Sequence, residues 1–156
     1  MREWISAWMR EHVDLVLSYY PPYLGAGIRV RRTEGCHGFL VSMPLRWYNR
    51  NVVKVHFGGS LYAMCDPFYM LLLMEALGPD YVVWDKAASI RFRRPGRGRV
   101  EARFVLDPAE VERIRVAADR GEVVEPTWEV EVRDGDGVVV ARVEKLLYVR
   151  RRGSAE

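Results

Sequence analysis

The chain has 156 residues, 49% apolar and 29% charged, which is enough for one domain with a single core and argues against a disordered polypeptide. Lysine and arginine exceed aspartate and glutamate by 24 to 21, and a net charge of +3 is too mild to imply nucleic acid. Two cysteines, Cys36 and Cys65, cannot frame a disulfide scaffold, and a zinc site would need His or Cys partners at closer, regular spacing, so a reduced cytoplasmic setting is expected.

The N-terminal stretch meets charge too early for a signal peptide, and the longest apolar run, Phe68 to Met74, is far short of a membrane span. Residues 3–20 carry a helical stripe: Trp4, Ile5, Trp8, Met9, His12, Val13, Val16, Leu17 and Tyr20. Pro21-Pro22 ends that helix, and residues 1–24 are read as helix plus linker. His12 falls on the apolar stripe as a packed histidine. Residues 28–33 alternate as a strand and 38–46 read as its neighbour, joined by a turn that holds Cys36 and a solvated His37. Residues 47–57 form a polar and aromatic loop.

The stretch from Asn51 to Leu77 is the most informative. His56, Phe57, Gly58 and Gly59 form a turn that runs into an apolar segment, Ser60 to Leu77, with one acid, Asp66, before Glu75. A helix so apolar belongs in a core, where a carboxylate costs several kcal/mol unless it is paired or has work to do. Adjacent glycines let backbone N–H groups approach a ligand at the positive end of the helix. Two arrangements stay open. Asp66 caps a helix that begins at Pro67, or the helix begins near Gly59 and Pro67 kinks it.

Gly78-Pro79 stops the helix. Strands are expected over 81–94, 99–106, 127–133 and 138–149, with a short helix at 108–120 behind Asp107-Pro108 and a hairpin turn at 134–137. Residues 151–156 are a frayed tail, leaving 25–150 as the domain. The expected fold is α+β: a largely antiparallel sheet whose apolar face wraps a central apolar helix.

Three stretches resemble the hotdog fold of acyl-CoA thioesterases, in the phenylacetate-degradation-type branch. Asn51, then Phe57-Gly58-Gly59, then Asp66 seven residues after the second glycine, matches that family's Asn, His-Gly-Gly and helix acid. Residues 89–102, S-I-R-F-R-R-P-G-R-G-R-V-E-A, are similar to its strand, proline turn and returning strand, and 134–149 to its terminal hairpin. The strings H-F-G-G-S-L-Y-A-M-C-D-P-F-Y-M and Y-V-V-W-D-K resemble an uncharacterised subfamily, a domain of unknown function grouped with tetrameric acyl-CoA thioesterases. Phe57 stands where family members carry His, with His56 one place earlier. Asp85, beside Lys86, stands where they often carry Ser or Thr, and that pair reads equally as an ordinary ion pair.

The resemblance implies an acyl-CoA thioesterase with Asp66 as general base or nucleophile, the Gly59 N–H polarising the thioester carbonyl, and Asn51 positioning water or carbonyl. Around them His56, Phe57, Gly58, Ser60, Asp85, Arg94 and Arg97 would bind substrate. The arginines suit the phosphates of coenzyme A, although a solvated strand face explains them as well. Because the family draws its acid from a second subunit, it implies a homodimer at least, with a homotetramer the larger option. No cofactor is implied beyond the coenzyme A of the substrate, and neither nucleic acid nor membrane is expected as a partner. A non-catalytic acyl-CoA or lipid-binding hotdog protein is the alternative.

Overall fold

The computed structural model describes residues 12–33 and 38–153; the predicted N-terminal stripe up to residue 11 and the turn with Cys36 and His37 lie outside them. Helix α1 (Val13–Ser18) stops before the prolines, as expected. Pro21 and Pro22 are not a linker, however: they open a second helix, α2 (Pro21–Ala26). Proline lacks the N–H that the first helical turn leaves unpaired, so one pair of prolines ends one helix and starts the next.

Six strands follow, β1 (Arg29–Arg32), β2 (Gly38–Pro44), β3 (Tyr81–Phe92), β4 (Arg99–Val105), β5 (Thr127–Asp134) and β6 (Val139–Arg151), all paired antiparallel in the order β1-β2-β4-β5-β6-β3. Between β2 and β3 the apolar segment forms two helices, α3 (Gly58–Ala63) and α4 (Phe68–Leu77), broken at residues 64–67. Helix α5 (Pro108–Asp119) lies between β4 and β5, with Asp107 accepting from the Ala109 N–H at its start.

The sheet wraps α4. Phe68, Leu72 and Leu73 are buried on it, and the Phe68 ring centroid lies 4.8 Å from Phe104 of β4 and 5.3 Å from Phe39 of β2. Each such side chain contributes about 1.5–3 kcal/mol by leaving water. Gly78, at φ 90, ends the helix in a conformation that other residues avoid. The stretch Gly58–Leu77 is long and apolar enough to cross a membrane by composition, yet it is this broken core element.

The two sheet edges are treated differently. At β1, Ser18 Oγ of α1 accepts from the Val30 N–H and donates to the Val30 carbonyl, so a helix end closes that edge. At the other edge, β3 runs twelve residues and is exposed over most of Trp84 to Phe92. A long uncovered edge strand is a template for pairing with another chain.

Candidate active site

Asp66 is not a helix cap. The cap position of α4 is Pro67, with no side-chain cap bond, and the Asp66 carboxylate turns to other partners. Its Oδ1 accepts from the Tyr62 hydroxyl at 2.9 Å and from the Lys145 ammonium at 2.9 Å, while Oδ2 accepts from no described residue. Nor is the carboxylate deep in the core, as expected of an acid in so apolar a segment. Its side chain is 49% exposed, because the break at residues 64–67 turns it out of the helix.

Lys145 was missed by the sequence reading. Its side chain is 0% exposed, and Nζ also lies 3.0 Å from Asp85 Oδ2 and 3.4 Å from the Tyr62 hydroxyl. Three partners match the three hydrogens of an ammonium. It stands on the inward face of β6, between Val143 and Leu147, in register with Ala88 of β3 and Trp128 of β5. A charged residue breaking an apolar alternation was the signal that could have found it.

Asp85 reaches the same point through a bulge. β3 shifts register between Asp85 and Ala87, so that Asp85 pairs with Leu147 and Ala88 with Lys145. Strict alternation would put residues 85 and 88 on opposite faces; the extra residue, Lys86, puts both on the inward face. The Asp85–Lys86 ion pair, one of the two readings open from the sequence, is not formed. Lys86 instead pairs with Glu125 on the surface.

The cluster therefore holds two carboxylates and one ammonium. Burial alone would lower the Lys145 ammonium, but hydrogen bonds and charge from Asp66 and Asp85 outweigh it and raise it above the usual lysine range. Burial raises the Asp85 carboxyl, opposed by Lys145 and aided by the Asp66 charge. Asp85 Oδ1 is buried with no hydrogen-bond partner among the described residues. Burial also pushes the Tyr62 hydroxyl up, with the Asp66 hydrogen bond adding to it, and pushes up the neighbouring Cys65 thiol, which is a packed side chain rather than a nucleophile.

The glycine turn gathers a second group of residues. Asn51, His56, Gly58 and Arg94 border one cleft of about 420 Å³ with Leu61, Phe92 and Gly96. Asn51 Oδ1 accepts from the Val53 and Val55 N–H groups, so the amide shapes the loop before the glycines. Phe57 and Ser60 border an adjoining cleft, which Asn51 also lines. Gly59, the second residue of α3, has no intrahelical partner for its N–H. Arg97 is exposed and borders neither cleft.

His56 has a structural occupation. It is 2% exposed; its N–H donates to the Gly96 carbonyl and its Nε2 donates to the Gly98 carbonyl at 2.9 Å. A carbonyl only accepts, so Nε2 carries the hydrogen and Nδ1 is a bare acceptor, buried and without a partner among the described residues. Burial holds the imidazole below its usual range despite the Gly98 bond. Gly96 leaves the space the ring needs: a Cβ there would lie 3.2 Å from His56 Cδ2 and 3.1 Å from Val140 Cγ1.

Residues 11–149 match the family model described as Domain of unknown function (DUF4442), and the chain belongs to that family. Among curated proteins none matches. Solved structures similar to the chain include proteins described as thioesterases, and the antiparallel sheet around a central helix is the hotdog fold. A Pseudomonas aeruginosa protein of unknown function, described as a probable thioesterase, is 21% identical with a TM-score of 0.79, covering 91% of this chain and 95% of that one. A Haemophilus influenzae thioesterase is 16% identical with a TM-score of 0.65, covering 90% of each chain. The E. coli PaaI protein of the phenylacetic acid degradation operon is 15% identical with a TM-score of 0.59, covering 96% of this chain and 95% of that one.

Proposed function

We propose that the protein hydrolyses acyl-CoA thioesters with Asp66 as general base. The observation that carries this reading is the state of that carboxylate: one oxygen is held by two donors, and the other has no donor among the described residues on a half-exposed side chain. A positioned base needs both properties. Asp66 Oδ2 would take a proton from water as the water oxygen bonds to the thioester carbonyl carbon. The carbonyl oxygen would gather charge against the Gly59 N–H. The C–S bond then breaks, and the thiolate takes the proton, leaving a carboxylic acid and free coenzyme A. Phe57, Gly58 and Ser60 would shape the walls beside this point, His56 would hold the turn behind them, and Arg94 at the cleft mouth would meet a phosphate of coenzyme A, with Arg97 further out. Asp85 would act through Lys145 rather than on substrate directly.

Gly59 opens α3 while Asp66 lies in the break beyond its end, and in the resembling family the acid meets the glycine turn of another subunit. A second copy pairing along the open edge of β3 would bring the acid of one chain toward the glycine turn of the other, so the reading requires at least a homodimer. A cytoplasmic setting suits a substrate built on coenzyme A and a buried free thiol at Cys65.

A second reading is an acyl-CoA-binding protein without turnover. It is favoured by Phe57, an exposed aromatic beside Gly58-Gly59, where the resembling family carries a titratable histidine. Hydrolysis of a panel of short, long and aromatic acyl-CoAs by the purified protein separates the two. Release of coenzyme A supports the enzyme, whereas tight binding without release supports the carrier.

A further inference from the structure

Lys145 stands out among the charged residues because its stability contribution does not explain it. Replacing a buried ion pair by apolar residues of like volume is often neutral or stabilising. Its register on β6 lies between Val143 and Leu147, both fully buried, where an aliphatic side chain would pack. Yet the ammonium is presented to a carboxylate that reaches solvent, and it is held from the far side by a second carboxylate on the edge strand.

We infer that Lys145 is a positioning residue for the reaction: it fixes Asp66 Oδ1 so that Oδ2 faces the substrate, and Asp85 anchors the ammonium from β3. This rests on the thioesterase reading and goes beyond it, because nothing in the glycine turn or the helix acid calls for a lysine. Several contacts support it. Tyr62, from α3, donates to the same oxygen as Lys145, so both restraints act on one side of the carboxylate. The Tyr62 ring also lies 5.4 Å from Nζ, adding a cation–π contact that keeps the ammonium in place. All three hydrogens of Nζ have partners, so the side chain has one preferred position. The titratable groups facing it are Asp66 from the helix break, Asp85 from β3, Tyr62 from α3 and the Cys65 thiol; Trp128 on β5 is uncharged.

The test is steady-state hydrolysis of acyl-CoAs by the full-length protein as wild type, Lys145→Met, Lys145→Arg, and Lys145→Met with Asp85→Asn. The double variant removes one charge of each sign and serves where the single variant fails to fold. Loss of positioning without loss of binding lowers kcat about 10–100-fold with KM within about threefold. Lys145→Arg, which keeps the charge, recovers part of kcat. A folded variant without the lysine that keeps wild-type kcat overturns the inference while leaving the thioesterase reading intact. A wild-type protein that releases no coenzyme A overturns that reading first, and the role of Lys145 with it.

Discussion

His56 offers a test of whether the residue next to the glycine turn supports structure or acts on substrate. The perturbation is His56→Leu, which keeps an apolar side chain in the space and removes Nε2. The Gly98 carbonyl also accepts from the Leu45 N–H at 2.8 Å, so the loss does not orphan it. The expected cost is therefore that of one net hydrogen bond plus imperfect packing, about 1–2 kcal/mol at pH 7.5. The dependence on pH sharpens this. Burial depresses the folded pKa of His56 below its usual 6.5, so the stability carried by the neutral ring is complete above pH 6.5. As the pH falls from there toward the folded value, the unfolded chain binds the extra proton, and the wild type loses up to about 1.4 kcal/mol per pH unit from this group. The leucine variant has no such loss, so its deficit shrinks by up to about 1 kcal/mol between pH 6.5 and 5.5. Urea unfolding of both proteins at pH 7.5 and 5.5 measures the difference. Equal stabilities at both pH values would refute the structural account of His56.

Other perturbations follow from the same geometry. Gly96→Ala places a methyl against Val140 and His56, both buried, and should cost about 2 kcal/mol, or roughly 4–8 °C in Tm. Gly58→Ala meets only the exposed Phe92 ring, which can swing aside, so its thermal melt should shift less. Lys145→Met leaves Asp85, 22% exposed, without its counter-charge and should cost about 2–4 kcal/mol, reduced from the fully buried figure because Asp66 is half in water. Adding Asp85→Asn should recover more than half of that, and additive costs in chemical denaturation would contradict the cluster. Sedimentation equilibrium at micromolar concentration should give at least twice the chain mass of 18.1 kDa, and a monomer would contradict pairing along β3.

How much could be read beforehand depended on whether a residue's role was local. Asp66 and the Gly58-Gly59 pair were legible because polar and small residues interrupt an apolar run, a contrast visible within one stretch. The choice between helix cap and free acid needed the break at residues 64–67, whose geometry no local preference dictates. Lys145 carried the same kind of contrast on β6, but residues 138–141 are apolar in both phases, which hides the strand's parity at its start. Asp85 was placed by a bulge that cancels its apparent parity, and a bulge leaves no mark when the inserted residue is an ordinary lysine. His56 was judged by its neighbour in sequence, whereas the Gly96 and Gly98 carbonyls forty residues on decide its position. The prolines at 21 and 22 obeyed two rules at once, and only the stop was read.

The central claim is that Asp66 is the acting carboxylate, and its most direct test is the rate of acyl-CoA hydrolysis by Asp66→Asn. The amide keeps the shape and still accepts from Tyr62 and Lys145 through its oxygen, but it cannot take a proton from water. The account predicts a fall in kcat of about 10²–10⁴-fold with assembly state and fold unchanged. Wild-type turnover by a folded Asp66→Asn protein would contradict it.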